Sequence, residues 1–172
     1  MRFPDPPPLA HNWGPAGSNC TRSITFIPSR SHLSPMYRTT FNLSTSGEGD
    51  IVDITSQVRE AIRAAGAEEA MVNVFVAGST AAVTTIEYEQ GVLSDLRKAL
   101  SAVAPDDIPY AHDSRWGDGN GRSHVKASLV GPSLSIPVAG GEPMLGTWQQ
   151  VVLLELDVRK NRSRTVVVTV TT

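Results

Sequence analysis

At 172 residues and a net charge of −2, the chain has the length of one domain with an appendage, and its charge offers no field for nucleic acid or an anionic membrane surface. Hydrophobic residues make up 40% and charged residues 19%, enough for a packed core but lean in surface charge, as suits a protein that hides surface in an oligomer. The one cysteine, Cys20, excludes a disulfide framework and a Cys-based zinc site within a single chain and fits a reducing, cytoplasmic setting, and no apolar run approaches the roughly 18 to 20 residues of a bilayer span.

Residues 1–36 stand apart. Pro4, Pro6, Pro7, Pro8, Pro15, Pro28 and Pro35 punctuate them, which predicts a poorly ordered extension with a hint of strand at Ile24–Ile27. An α+β domain is expected over 37–172. Tyr37–Leu43 alternates as a strand. Asp53 or Thr55 caps a helix running to Ala65, with Val58, Ala61 and Ile62 on one face and Gly66 at the left-handed C-cap. Met71–Val76 and the β-branched run Thr80–Tyr88 read as strands. Gly91 opens a second helix, with Val92, Leu96, Leu100 and Val103 at helical spacing, stopped by Pro105. Strands are then expected at Val125–Val130, Leu134–Val138, Met144–Gln149, Val151–Asp157 and Arg164–Val170, with a hairpin turn at Gly140–Gly141. Eight strands and two helices in this order predict a largely antiparallel sheet or sandwich.

The chemistry concentrates between Ala111 and Gln149. His112 and His124 lie twelve residues apart across a glycine-rich loop. Folding that loop back brings both imidazoles to one spot, where Asp113 or Asp118 can serve as metal ligand or acid/base partner. A divalent metal on His112 and His124 is one chemistry the pair supports. The alternative is that His112 caps a strand and His124 packs on a neighbour. The run Asp118-Gly119-Asn120-Gly121 fails as a calcium loop, because the twelfth position holds Leu129. Its glycines can instead expose backbone N–H groups to a phosphate, helped by Lys126 as a point charge. Ser79 and Thr80, beside Gly78, offer hydroxyls to an oxyanion, although the flanking alanines exclude a nucleophile elbow. Glu87 is a candidate general base or the partner of an arginine in a subunit contact. Trp148 and Gln149 can wall a pocket, against the alternative that Trp148 is core.

The runs G-S-T-A-A-V-T-T-I-E-Y-E (78–89), W-G-D-G-N-G-R-S-H-V-K-A-S (116–128), G-P-S-L-S-I-P-V (131–138) and L-G-T-W-Q-Q (145–150) together resemble the YjbQ family, often labelled secondary thiamine-phosphate synthase. The resemblance spans about Tyr37 to Val170. It implies a small α+β protein with a β-sandwich-like core, assembled as a homotrimer, with a site near subunit boundaries. The implied activity couples a hydroxymethylpyrimidine diphosphate to a thiazole phosphate. Many members carry His-Thr-Thr where this chain has Gly78-Ser79-Thr80, and Asn-Glu in place of Ile86-Glu87. A second branch resembles the present pattern and often has a histidine where this chain has Arg122, which leaves His112 and His124 here.

On this reading the catalytic candidates are His124, His112 and Glu87. The ligand-binding candidates are Ser79, Thr80, Gly119, Asn120, Gly121, Arg122, Lys126, Trp148 and Gln149. The ligand is a small phosphorylated metabolite. Two alternatives stand beside the transferase: a non-catalytic trimer that binds such a metabolite, and a metal-dependent hydrolase built on the two histidines.

Overall fold

A computed structural model describes residues 36–172. The proline-rich segment through Pro35, with the strand hint at Ile24–Ile27, lies outside the described residues, while Met36 already belongs to the first strand.

Two antiparallel sheets stack on each other. The larger has the order β1-β8-β3-β5-β6. β1 (Met36–Thr45) pairs along its full length with β8 (Arg162–Thr171), from Met36 opposite Thr171 to Thr45 opposite Arg162. β3 (Glu69–Val76) lies between β8 and β5 (Ser133–Ala139), and β6 (Glu142–Pro143) closes the edge after the Gly140–Gly141 turn. The smaller sheet has the order β2-β7-β4, formed by Ile51–Asp53, Gln150–Glu155 and Ala81–Ile86.

The period-two pattern places the core. Val72, Val74 and Val76 of β3 and Val166, Val168 and Val170 of β8 are fully buried. They meet Val83, Val151 and Leu153 of the smaller sheet and Val58 and Ile62 of α1 (Thr55–Ala65). Each such side chain contributes about 1.5–3 kcal/mol of burial. The opposite face of the smaller sheet, with Ala82, Val152 and Leu154, is covered by Leu93 of α2 (Gln90–Val103) and Ala127 of α4 (Gly121–Val130). β7 is therefore buried on both faces, which is why its sequence is an unbroken apolar run rather than an alternation. Among the described residues no helix covers the outer face of the five-stranded sheet, where Met71 and Phe75 are exposed.

α1 starts where Asp53 Oδ1 accepts from the Thr55 amide at 2.8 Å and stops at Gly66 in the left-handed region, φ 62°. α2 is capped by Glu89, whose carboxylate accepts from the Gly91 and Val92 amides.

Two expected strands are absent. Val125–Val130 is the C-terminal part of α4, preceded by a further short helix, α3 (Ala111–Trp116). Met144–Gln149 is a turn rather than a strand. Gln149 N donates to Gly146 O at 2.9 Å, and the Gln149 side chain accepts from Gly146 N at 3.1 Å. Pro143 and Gly146 weaken any extended ladder there. The count of eight strands is reached instead through β2 and β6. No helix among the described residues is long and apolar enough to cross a membrane.

Candidate functional site

Three segments build the site. The first is the Ala77–Thr80 loop between β3 and β4. The second is α3 with the turn that follows it, where Gly117 and Gly119 take φ of 66° and 70° and let the chain reverse within four residues. The third is the start of α4. That helix can lie close because residue 121 is glycine: a Cβ there would overlap Tyr110 Cβ and come within 2.8 Å of its Cγ.

The reversal brings His112 of α3 against His124 of α4. Their ring centroids are 4.5 Å apart with planes tilted by 45°. His124 Nδ1 faces the Ser79 carbonyl oxygen at 3.1 Å. A cleft of about 130 Å³ opens beside it, lined by Gly78, Ser79, His124 and Ser128 among others. His112 Nδ1 is screened from solvent and makes no well-formed hydrogen bond. It sits 3.3 Å from Asp118 Oδ1 and 3.5 Å from Asp113 Oδ1.

These three donors lie within 4.8 Å of one another. Two ligand atoms held at zinc-like distances around a tetrahedral ion stand about 3.4 Å apart, close to the separations of His112 Nδ1 from the two carboxylate oxygens. One imidazole nitrogen and two carboxylates suit a divalent cation. His124 is not part of this donor set, which differs from the His112–His124 pair expected to hold a metal.

Two of the loop amides are already engaged. Asn120 N donates to Asp118 Oδ1 at 3.2 Å, and Gly121 N donates to Asp113 Oδ1 at 2.7 Å. The Asn120 side chain is buried, donating to Asp157 Oδ1 at 3.2 Å and accepting from Val158 N at 3.1 Å. Arg122 lays its fork on Glu48, with Nη2 to Oε2 at 2.9 Å, and donates to Gly119 O at 3.3 Å. Lys126 reaches Glu48 Oε1 at 3.0 Å. The expected phosphate cradle at Gly119, Asn120, Gly121, Arg122 and Lys126 is thus largely occupied by internal partners.

Glu87, Trp148 and Gln149 are placed elsewhere. Glu87 is exposed beyond the C-terminal end of β4, and Gln149 Nε2 donates to Thr85 Oγ1 at 2.7 Å near that same end. Trp148 is 70% exposed rather than core. Ser79 precedes β4 at its other end, so the two groups are about 20 Å apart along the strand.

Beneath the His124 cleft lies a buried polar network. Thr80 Oγ1 donates to Asp157 Oδ2 at 2.9 Å and accepts from Arg164 Nη2 at 2.9 Å. Arg164 Nε donates to Glu155 Oε2 at 2.7 Å, and Thr45 Oγ1 donates to that same oxygen at 2.7 Å. Asp157 therefore grips both supports of His124: Thr80, next to Ser79, and Asn120, at the head of α4. Burial works to raise the Asp157 pKa, but the hydrogen bonds from the Arg159 amide, Thr80 and Asn120, with nearby Arg162, outweigh it and hold the carboxyl below the usual range. Asp118 is likewise held low: burial opposes, while the Asn120 amide, His112 and Arg159 prevail.

Glu155, Asp157 and Arg164 were absent from the sequence-derived site. Their signal was available, since Glu155 and Asp157 are carboxylates inside an apolar run and Arg164 falls on the inward beat of Val166, Val168 and Val170.

Residues 39–172 match the family model described as UPF0047 protein YjbQ-like. The chain belongs to this YjbQ-like family. A UPF0047 protein of Methanothermobacter thermautotrophicus is 37% identical over 127 residues, covering 74% of this chain and 87% of that protein. The crystal structure of a YbjQ-like protein of unknown function from Sulfolobus solfataricus superposes with a TM-score of 0.69 at 29% identity, covering 79% of this chain and 98% of that one. A YjbQ/UPF0047-family protein of Clostridium acetobutylicum also gives 0.69, at 32% identity, covering 77% and 98%. The YjbQ-like α+β fold expected from the sequence motifs is the fold observed.

Proposed function

We propose that this YjbQ-family protein is a transferase of the thiamine-phosphate-synthase type, acting where the His124 cleft adjoins His112. In that reaction the thiazole ring nitrogen forms a C–N bond to the pyrimidine's exocyclic methylene. The methylene C–O bond breaks, and its electron pair leaves with diphosphate. The observation that carries the reading is the imidazole pair, 4.5 Å between centroids, set against the Ser79 carbonyl and two carboxylates. Diphosphate departure needs stabilisation of developing negative charge. A divalent cation held by His112, Asp113 and Asp118 would supply it. His124, held by Ser79 O through Nδ1, keeps Nε2 for substrate or a proton. A metal-dependent hydrolase is the second reading, favoured by that same donor set.

The test is turnover of the two substrates with and without added divalent metals. His124→Ala is expected to lose at least about a hundredfold in rate, the contribution typical of general acid–base catalysis, with the fold intact by circular dichroism. Product formation unchanged in a folded mutant would overturn the assignment. No product under any metal would leave the hydrolase and the non-catalytic binder.

The protein is also proposed to be a homotrimer. The sheet face that exposes Met71 and Phe75 supports association. So does the division of the candidate residues, because Glu87, Trp148 and Gln149 can join the His124 cleft only from another copy. Light scattering at micromolar concentration is expected to give three times the chain mass; a monomer would refute it.

A further inference from the structure

We propose that Arg164 is a specificity-determining residue of the His124 cleft, donating through Nη1, past Gly78, to an acceptor oxygen of the bound ligand. Strand register explains how a residue of β8 comes to lie behind that cleft. Val76 of β3 stands opposite Val166 of β8, and just beyond the strand the Ala77 amide still donates to Thr165 O at 3.0 Å. The next step brings residue 78 opposite Arg164. Both fall on inward beats, after Val72, Val74 and Val76 on one strand and before Val166, Val168 and Val170 on the other, so their side-chain directions converge. Position 78 is glycine and puts no side chain there.

The Arg164 side chain is 4% exposed, and its orientation is fixed. Nε donates to Glu155 Oε2 at 2.7 Å, and Nη2 donates to Thr80 Oγ1 at 2.9 Å and to Thr80 O at 3.2 Å. A guanidinium carries five N–H donors in a rigid fork. The two on Nη1 meet no acceptor among the described residues. Nη1 faces Gly78. A Cβ at that position would lie 3.1 Å from it, with no other heavy atom of the described residues within 4 Å apart from the adjoining ones. Gly78 is itself exposed, and it lines the cleft with Ser79, His124 and Ser128. Donors held still by a buried network therefore face open space at the wall of the cleft, within the reach of a hydrogen bond.

Donor geometry, not surplus charge, sets the ligand. Arg164 is balanced by Glu155, and Asp157 by Arg162, whose Nε is 3.5 Å away. What Nη1 adds is a directed bond that only an acceptor completes. The group is therefore a carboxylate, phosphoryl or amide oxygen, and not an ammonium. At about 30 Å³ per water-sized group, a cleft of about 130 Å³ takes on the order of four non-hydrogen atoms, which is the head of a ligand rather than its body. The inference rests on the His124 cleft being the ligand site, as in the proposed function, but not on the reaction carried out there.

The test titrates the full chain with methyl phosphate, acetate, acetamide and methylammonium, read by NMR at the Gly78 and Ser79 amides and the Arg164 Nε–H. At least one of the three acceptors is expected to give saturable shifts at these groups, and whichever binds identifies the head group. Methylammonium is expected to give none. Gly78→Ala sets a methyl group against Nη1. It should weaken acceptor binding at least about tenfold, the loss of one charge-assisted bond, and silence the response at Arg164 Nε–H. Arg164→Lys should weaken the acceptors as well; if it does not fold, Gly78→Ala still decides. Acceptor binding to Gly78→Ala within about twofold of the parent would overturn the proposal. So would methylammonium binding as tightly as the acceptors, or no saturable shift with any acceptor at millimolar concentration. Turnover lost in His124→Ala but acceptor binding unweakened in Gly78→Ala would keep the transferase and remove Arg164 from its site. Binding weakened by Gly78→Ala in a protein without turnover would keep Arg164 and remove the transferase.

Discussion

Replacing Asp157 with alanine should weaken the whole domain and loosen His124 in one step. The side chain is 3% exposed and accepts from Thr80 Oγ1 at 2.9 Å, Asn120 Nδ2 at 3.2 Å and the Arg159 amide at 2.9 Å, with Arg162 Nε at 3.5 Å. Each hydrogen bond to a charged group is worth about 1.5–3 kcal/mol, but bonds sharing one carboxylate do not add. The Thr80 hydroxyl keeps Arg164 as a partner, whereas Asn120 Nδ2 is left buried and unpaired. Removing one member of a buried charged network costs about 3–5 kcal/mol, and that is the expected loss. Asp157→Asn preserves the shape and part of the accepting capacity, so about 1–2 kcal/mol is expected. Urea unfolding at fixed protomer concentration measures both, read as a shift in midpoint at unchanged slope. The His124 imidazole resonances should also move in the alanine variant, because Thr80 and Asn120 are its two supports. An alanine variant within about 1 kcal/mol of the parent would refute the claim that Asp157 holds them.

Gly121→Ala should be destabilising despite alanine's higher helix propensity. The new Cβ would overlap Tyr110 and come 3.1 Å from Asp113 Oδ1. Overpacking costs about 1–3 kcal/mol, and thermal unfolding checks it. Acid stability provides another test. Burial opposes the charged form of Glu48, but Arg122 and Lys126 prevail and depress its pKa, and Asp157 is depressed as well. A depressed carboxyl contributes stability that is fully present above its unfolded pKa, about 4, and is lost as pH falls through the folded value. Stability should therefore hold from neutral pH to about 5 and fall below about 4, and Asp157→Asn should make that acid limb shallower in denaturant midpoints measured against pH.

How far the sequence could be read depended on what the buried faces are made of. β8 announces itself, because Val166, Val168 and Val170 point inward between threonines and Val167. α1 is equally plain, with Val58, Ala61 and Ile62 on one face and a glycine where the left-handed cap falls. α4 is the opposite case. Its buried residues are Gly121, Ser123, Lys126 and Ala127, while Val125 and Leu129 are exposed. A helix whose inner face is small and polar shows no apolar stripe. The run Val125-x-Ala127-x-Leu129 then imitates the alternation of a strand. The buried network was hidden for a related reason. An ion pair such as Glu155–Arg164 joins residues nine apart in sequence across two sheets, and no local spacing rule links them.

The reading of α4 has a consequence for chemistry as well as for fold. In a strand, residues two apart share a face, so His124 and Lys126 naturally join in one phosphate-binding site. In a helix they diverge by about 200°. His124 then goes to Ser79 and His112, and Lys126 goes to Glu48 and a cavity beneath α2. One secondary-structure assignment thus decides whether His124 and Lys126 can face the same surroundings. The small residues that conceal α4 in the sequence also explain how it can sit so close. Gly121 admits Tyr110, and Ala127 lies flat on Ala82, Val152 and Leu154. A bulkier, more visibly amphipathic helix would stand further from the smaller sheet. It would carry His124 away from the Ser79 carbonyl and Lys126 away from Glu48.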